Sequence, residues 1–232
     1  MKKSQIYKIE IFQKMKQDTL ERILQAGKIV KYRKGNVLMR AREPVAFIYF
    51  QLSGKSIVYN LTHTGKRKIL FVCGQGALLN YNLLNSHDSS VFCETIDESE
   101  ILVISVNDFM KIMELDFSLT RTVLEMQEKK IWRLSHQLKN TTGCIHLERK
   151  LAAKLWKLAR DFGIKTDDGM EIDISMSITF LADMLGTSRE TTSRICSTFV
   201  ELGLIKINKK RVTVCNCKKM AEFYKTGKIN TL

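Results

Sequence analysis

No run of apolar residues in this chain of 232 approaches eighteen, so the sequence offers no membrane-spanning helix. The start Met1-Lys2-Lys3-Ser4 has no apolar stretch behind it, and a secretory signal peptide is not expected. The six cysteines, Cys73, Cys93, Cys144, Cys196, Cys215 and Cys217, are scattered and form no C-x-x-C pair. A reduced, cytoplasmic protein is the simplest expectation. No glycine-rich phosphate loop, metal pair or nucleophile–base constellation is visible, so nothing points to an enzyme. Negative charge is also short. The chain carries 24 Asp/Glu against 38 Lys/Arg, for a net charge of +14. The excess is spread along the chain: residues 141–232 hold 16 Lys/Arg against 10 Asp/Glu, and residues 1–120 hold 17 against 12. Alone, that means a basic surface. With a DNA-reading motif it favours a polyanionic partner.

Such a motif lies at residues 178–205. Ile178, Leu181, Ala182 and Leu185 are spaced as the apolar face of a short helix, and Gly186 breaks it. A second helix begins near Ser188, with Ile195, Phe199 and Leu202 as its expected buried side. Two short helices about a glycine turn are the pattern of a helix-turn-helix. The exposed face of the second helix opens with Arg189 and Glu190 and continues to Arg194. Arginine pairs with guanine O6 and N7, and glutamate accepts from the amino group of cytosine. A phosphate repels a carboxylate, so Glu190 makes sense on DNA only if it reads a base. The plain alternative is a pair of amphipathic helices with surface charges. The adjoining residues favour the sharper reading. Leu204–Ile207, a polar turn at Asn208-Lys209-Lys210, and Arg211–Val214 form a hairpin signal, which predicts a basic wing. Lys209, Lys210 and Arg211 are candidates for phosphate contacts, together with Ser188, Thr191 and Ser193.

The rest of the chain changes texture twice. Residues 10–27 look helical. From Lys28 to Val106, short β-rich runs alternate with turn signals about every ten residues, which predicts an antiparallel sandwich or barrel. A short helix is expected at 107–114 with Asn107 as N-cap, and a longer one at about 117–140. In the longer helix Leu124, Ile131 and Leu138 recur every seven residues, with Leu134 between them. That stripe reads as a dimer seam, the alternative being a stripe packed on the chain's own β-domain. A helix at 147–162 opens the C-terminal part, and Thr141-Thr142-Gly143 is the expected hinge. The domains are therefore read as 1–115, a β-roll sensor; 116–140, a dimerisation helix; and 141–232, a winged helix-turn-helix. The fold class is α+β.

This order of parts resembles the Crp/Fnr family of bacterial transcription regulators over nearly the whole length. The β-part is similar to a cyclic-nucleotide-binding roll at Tyr32-x-Lys34-Gly35, at Ile48-Tyr49-Phe50-x-Leu52-Ser53-Gly54, and at Gly65…Leu70…Gly74-x-Gly76. The family's Gly-Glu turn appears as Arg42-Glu43. The C-terminal match is tighter: Ser188-Arg189-Glu190-Thr191-Thr192-Ser193-Arg194-Ile195 resembles the recognition helix of the catabolite-activator branch. The resemblance implies that Arg189, Glu190 and Arg194 read a TGTGA-type half-site, and that the protein is a homodimer on double-stranded DNA. It also implies RNA polymerase as a partner, with a surface loop such as Lys165-Thr166-Asp167-Asp168 as the expected contact.

The sensor half departs from the family. Cyclic-nucleotide-binding members carry a Glu for the ribose and an Arg with Ser or Thr for the phosphate after the Gly-x-Gly region. Here residues 76–91 contain neither Glu nor Arg. A buried phosphate without a cation is costly, so cyclic AMP is not expected. The first cysteine is Cys73, too late for an N-terminal iron–sulfur group. Haem is not expected either, since His63, His87, His136 and His146 are candidates only in number. Cys215 and Cys217, read as i and i+2 on a strand, are two thiols without further ligands, and no metal is expected. What remains is a roll lined by Phe50, Phe71, Cys73, Leu79 and Tyr81, closed by the long helix near Ile131, Ser135 and His136. It is either a filled core or a pocket for a small, mostly apolar organic effector. Two other classes fit less well: a nucleotide-dependent enzyme or non-enzymatic regulatory subunit sharing the roll, against which the winged domain argues, and a ligand-independent or sequence-tolerant DNA-binding protein, the latter disfavoured by the base-reading type of Glu190.

Overall fold

The computed structural model describes residues 6–7, 9–83, 88–139 and 146–228. The expected hinge at Thr141–Gly143, along with Cys144 and His87, lies outside the described residues. The chain divides into two compact units, Met1–Ser135 and His136–Leu232.

In the first unit, two helices, α1 (Glu10–Gln13) and α2 (Gln17–Ala26), occupy the stretch where the sequence suggested one. Seven strands follow: β1 (Lys28–Tyr32), β2 (Val37–Met39), β3 (Phe47–Ser53), β4 (Ser56–Leu61), β5 (Arg67–Cys73), β6 (Phe92–Thr95) and β7 (Ser99–Ser105). They form two antiparallel sheets, ordered β1-β7-β3 and β2-β6-β4-β5. The segment after β5 continues the first sheet. Gly76 N donates to Gln51 O at 2.8 Å, and Leu79 N to Tyr49 O at 2.9 Å. At the turn before β3, Arg42 stands in the left-handed region (φ 68°), the conformation a glycine would supply at no steric cost.

Side-chain alternation along the strands splits this unit into two cores. On β3, Ile48, Phe50 and Leu52 face the helices, as do Leu102 and Ile104 of β7. There they meet Phe12, Leu20 and Ile23, and also Phe109 and Ile112 of α3 (Val106–Leu115). The opposite faces, Tyr49 of β3 and Ile101 of β7, join Met39, Val58, Phe71, Leu79, Val91 and Cys93 inside the roll. The N-cap of α3 is Ser105, whose hydroxyl accepts from Asp108 N at 3.1 Å. This replaces Asn107, because the hydroxyl two residues earlier reaches the orphan amide first.

Helix α4 (Phe117–Lys139) follows Asp116, and the boundary between the two units falls within it. The Asp116 carboxylate accepts from Ser118 N at 2.9 Å and from the Thr19 hydroxyl at 2.5 Å. One buried carboxylate thus satisfies the start of α4 and ties it to α2.

In the second unit, α5 (Leu147–Phe162) leads to β8 (Gly163–Thr166) and β9 (Gly169–Ile172). Next come α6 (Ile178–Leu185), α7 (Arg189–Glu201), β10 (Ile205–Asn208), β11 (Arg211–Val214) and α8 (Cys217–Thr226). The four strands make one antiparallel sheet, β10-β11-β9-β8. Gly169 sits at φ 132°, and a Cβ there would come within 2.4 Å of Val214 O, so the hairpin can lie against β11 only with glycine. Leu151, Leu155, Leu181, Ile195, Phe199, Val214 and Met220 are buried. Phe199 meets Phe223 edge-on at 5.3 Å between ring centroids.

Candidate nucleic-acid interface and roll interior

The helix-turn-helix is built by local chemistry. The Ser177 hydroxyl accepts from Phe180 N at 3.1 Å and starts α6. Gly186 ends it at φ 74°, with its N–H on Ala182 O at 2.7 Å. Two residues later the Ser188 hydroxyl accepts from Thr191 N at 3.1 Å and starts α7. Each serine cap is worth about 1 kcal/mol. Ile195, Cys196 and Phe199 bury one face of α7. Leu202, expected with them, is 47% exposed, because the helix ends at Glu201 and its C-cap turns outward.

The other face carries Arg189, Glu190, Ser193 and Arg194, all exposed. Residues 190 and 194 lie one above the other, and 189 stands at the leading end. Ser188 and Thr191 are engaged with each other through their hydroxyls at 3.1 Å. Three residues separate α7 from the β10–β11 hairpin, which turns at Lys209 and Lys210, both exposed, with Lys209 at φ 54°. Arg211, expected with them, is held differently: its guanidinium pairs with Asp173 at 2.7 Å. Lys165-Thr166-Asp167-Asp168 is not a loose loop but the end of β8 and its turn into β9, where Asp168 pairs with Lys206. Asp168-Gly169 is a hairpin signal that the surrounding charges mask in the sequence. Cys215 and Cys217 do not share a strand: β11 ends at Val214, and Cys217 opens α8.

Of the residues expected to line the roll, Phe71 and Leu79 are buried inside it, and Cys73 and Tyr81 pack against them. Phe50 does not belong. It lies on the helix side, 5.7 Å from the Phe12 ring and 5.6 Å from Phe109. Its neighbour Tyr49 points inward, since a one-residue step along a strand reverses the face. Burial pushes the Tyr49 hydroxyl up to about 12. On α4, Ile131 is 62% exposed. Ser135 is exposed too, its hydroxyl turned back to Ile131 O. His136 is exposed and belongs to the second unit. On the interior side of the roll, α4 brings Gln127, Lys130 and Leu134. Leu134 packs on the interior cluster, which removes it from the exposed stripe formed by Leu124, Ile131 and Leu138. Lys130 Nζ donates to Asn80 O at 2.5 Å and stands 4.7 Å from the centroid of the Tyr81 ring. Burial lowers Lys130 to about 8. In the sequence, charge alone gives no sign that this one lysine of many is buried.

The described part of the segment after Gly76 is anchored by one buried amide. Asn80 is fully buried, accepting from Tyr49 N at 2.8 Å and donating to Phe47 O at 2.8 Å. Its amide is locked to β3. Among the described residues no group of three or more His, Cys, Asp or Glu could hold a metal, and no helix is long and apolar enough to cross a membrane.

A β-roll in one unit and a winged helix-turn-helix in the other define a DNA-binding transcription regulator, not an enzyme. Residues 29–116 match the cyclic nucleotide-binding domain and residues 149–223 the Crp-like helix-turn-helix domain. The chain is 29% identical to the probable transcriptional regulator flp of Lacticaseibacillus casei, covering 82% of this chain and 84% of that protein. It is 25% identical to the global nitrogen regulator of Synechococcus elongatus, over 85% and 92% of the two chains. The c-di-GMP responsive global regulator CLP of Xanthomonas campestris shares the fold, with a TM-score of 0.75 and 18% identity over 87% of this chain and 100% of that one. The chain belongs to the Crp/Fnr family of transcription regulators.

Proposed function

We propose that this regulator acts as a homodimer on an inverted repeat with TGTGA-like half-sites, and that a small organic effector in the roll sets its affinity. The observation that carries the reading is the exposed Arg189–Glu190–Arg194 face of α7, whose opposite face is buried. Two arginines select guanines, and Glu190 selects a cytosine on the opposite strand. Ser188, Thr191, Ser193, Lys209 and Lys210 meet phosphates, and Arg211 joins them where a phosphate displaces the exposed Asp173, since such surface pairs are weak. The dimer reading rests on Leu124, Ile131 and Leu138, which are 54, 62 and 66% exposed at seven-residue spacing. Trp132 beside them is 60% exposed. Residues 1–115, 116–140 and 141–232 then serve as sensor, dimer helix and DNA-binding part.

Cyclic AMP is not the effector in this reading. Between Gly76 and Val91 the segment supplies no Arg and no Glu, and Asn80 is committed to β3. In this reading the protein works in the cytoplasm, with RNA polymerase as a partner at the β8–β9 turn. Measuring affinity at fixed salt for a TGTGA-type inverted repeat and for random duplex tests the reading. A preference of at least about 10³-fold is expected. Equal affinity would leave a sequence-tolerant DNA-binding protein in its place.

A further inference from the structure

At the roll interior, the buried Tyr81 hydroxyl and the partly buried Lys130 side chain have less than their ordinary complement of partners. The Tyr81 hydroxyl has no hydrogen-bond partner among the described residues. The Lys130 ammonium is balanced by a carbonyl, Asn80 O, and by the face of the Tyr81 ring. No carboxylate of the described residues pairs with it. A cation held in a low dielectric without an anion is costly, and an unpaired buried hydroxyl adds to the cost. Cys73 packs on the same cluster, and Arg133 follows three residues after Lys130 on α4. The surrounding surface is apolar: Phe71 stacks on Tyr81 with centroids 6.2 Å apart, and Leu79 and Leu134 pack on the same cluster.

We propose that the roll takes a small organic carboxylate with an apolar body, its two oxygens shared between the Lys130 ammonium and the Tyr81 hydroxyl. This rests on the reading of the roll as the effector chamber and fixes the charge and class of the effector. Two separate donors favour the two-oxygen carboxylate over a neutral ligand. Because Lys130 belongs to α4 and Asn80 to the loop after β5, a carboxylate that draws the ammonium away from Asn80 O changes how the loop holds the dimer helix. The site thus couples occupancy to α4 directly.

Proton linkage distinguishes a ligand site from a structural staple. Lys130 is held near 8 by burial. Tyr81, Cys93 and Cys73 are all pushed up by burial and stay protonated below pH 9. Lys130 is therefore the group of this cluster that titrates between about pH 7 and 9. A bound carboxylate raises it, so binding takes up a proton and is tighter at the lower pH.

The test is calorimetric titration of the full chain with acetate, benzoate and benzamide at about pH 7 and pH 9, in two buffers of different ionisation enthalpy at each. Benzoate is expected to saturate, to bind about tenfold more weakly at pH 9 than at pH 7, and to take up protons. Acetate, the charged group alone, should show the same pH dependence at lower affinity, and benzamide should not bind. Lys130→Met should abolish the binding. Tyr81→Phe should weaken it and keep the proton uptake, which covers the case that Lys130→Met fails to fold. Absence of binding by both acids, equal binding of benzamide, or binding without a pH dependence would overturn the proposal. Palindrome affinity measured on the same samples separates the two readings. Intact DNA selectivity with no anion response refutes only the carboxylate site, and lost selectivity refutes the DNA reading.

Discussion

Arg42 and Asp116 show how much single residues decide in this fold, and in opposite senses. Arg42 holds a left-handed backbone (φ 68°) that costs a side-chain-bearing residue about 1–2 kcal/mol. Arg42→Gly is expected to raise the thermal midpoint of the first unit, with a gain of about 1 kcal/mol, and scanning calorimetry would show it. Asp116 is held down to about 2 by hydrogen bonds from Ser118 and then Thr19. Its folded value lies below the ordinary 3.8, so its stabilisation is complete above that ordinary value and is lost as pH falls through the folded one. Between roughly pH 5 and pH 2, wild type should lose about 2 kcal/mol more than Asp116→Asn. Parallel acid titrations of the two would show no divergence if the carboxylate were idle. At this scale the sequence is partly legible. The exposure of Arg189, Glu190 and Arg194 is readable because the apolar residues of α7 fall at helical spacing on the opposite face. Lys130 is not, because burial of a long cation depends on which turn of α4 meets the roll.

Among the elements, α4 carries two faces that the heptad pattern merges into one. Leu124, Ile131 and Leu138 remain exposed, whereas Leu134 turns to the roll with Lys130 and Gln127. The spacing of apolar residues locates the helix to within a residue but cannot say which neighbour each side meets. Ile131→Asp is expected to give a folded monomer, since the side chain is exposed in the protomer and a dimer would bury the charge against its symmetry mate. Sedimentation would show an unchanged dimer if the seam lay elsewhere. The strands are legible to a similar degree. Turn signals at Gly35, Gly54, Gly65 and Gly76, all left-handed, divide the roll correctly. The inward face of β3 escapes the sequence because Ile48-Tyr49-Phe50 is apolar on both faces, so period-2 alternation gives no sign.

For the whole molecule, the order of parts is legible and the chemistry of the sensor is not. Calorimetry with cyclic AMP should show no binding at physiological concentrations. Micromolar affinity would mean that another cation, Lys55 or Arg67 among them, holds the phosphate. The central claim is that the α7 face reads bases while the turn of the β10–β11 hairpin reads the backbone, and a random-library binding selection at fixed salt on wild type, Arg194→Ala and Lys210→Ala tests it most directly. Wild type should return an inverted repeat with half-sites centred about 34–36 Å apart, one turn of DNA. Arg194→Ala should lose roughly 1–3 kcal/mol per half-site and relax one base pair of it. Lys210→Ala should bind every sequence more weakly, with the motif unchanged and a salt slope shallower by about 1 for each phosphate no longer neutralised. Recovery of no palindrome from wild type, or of an unaltered motif from Arg194→Ala, would contradict it.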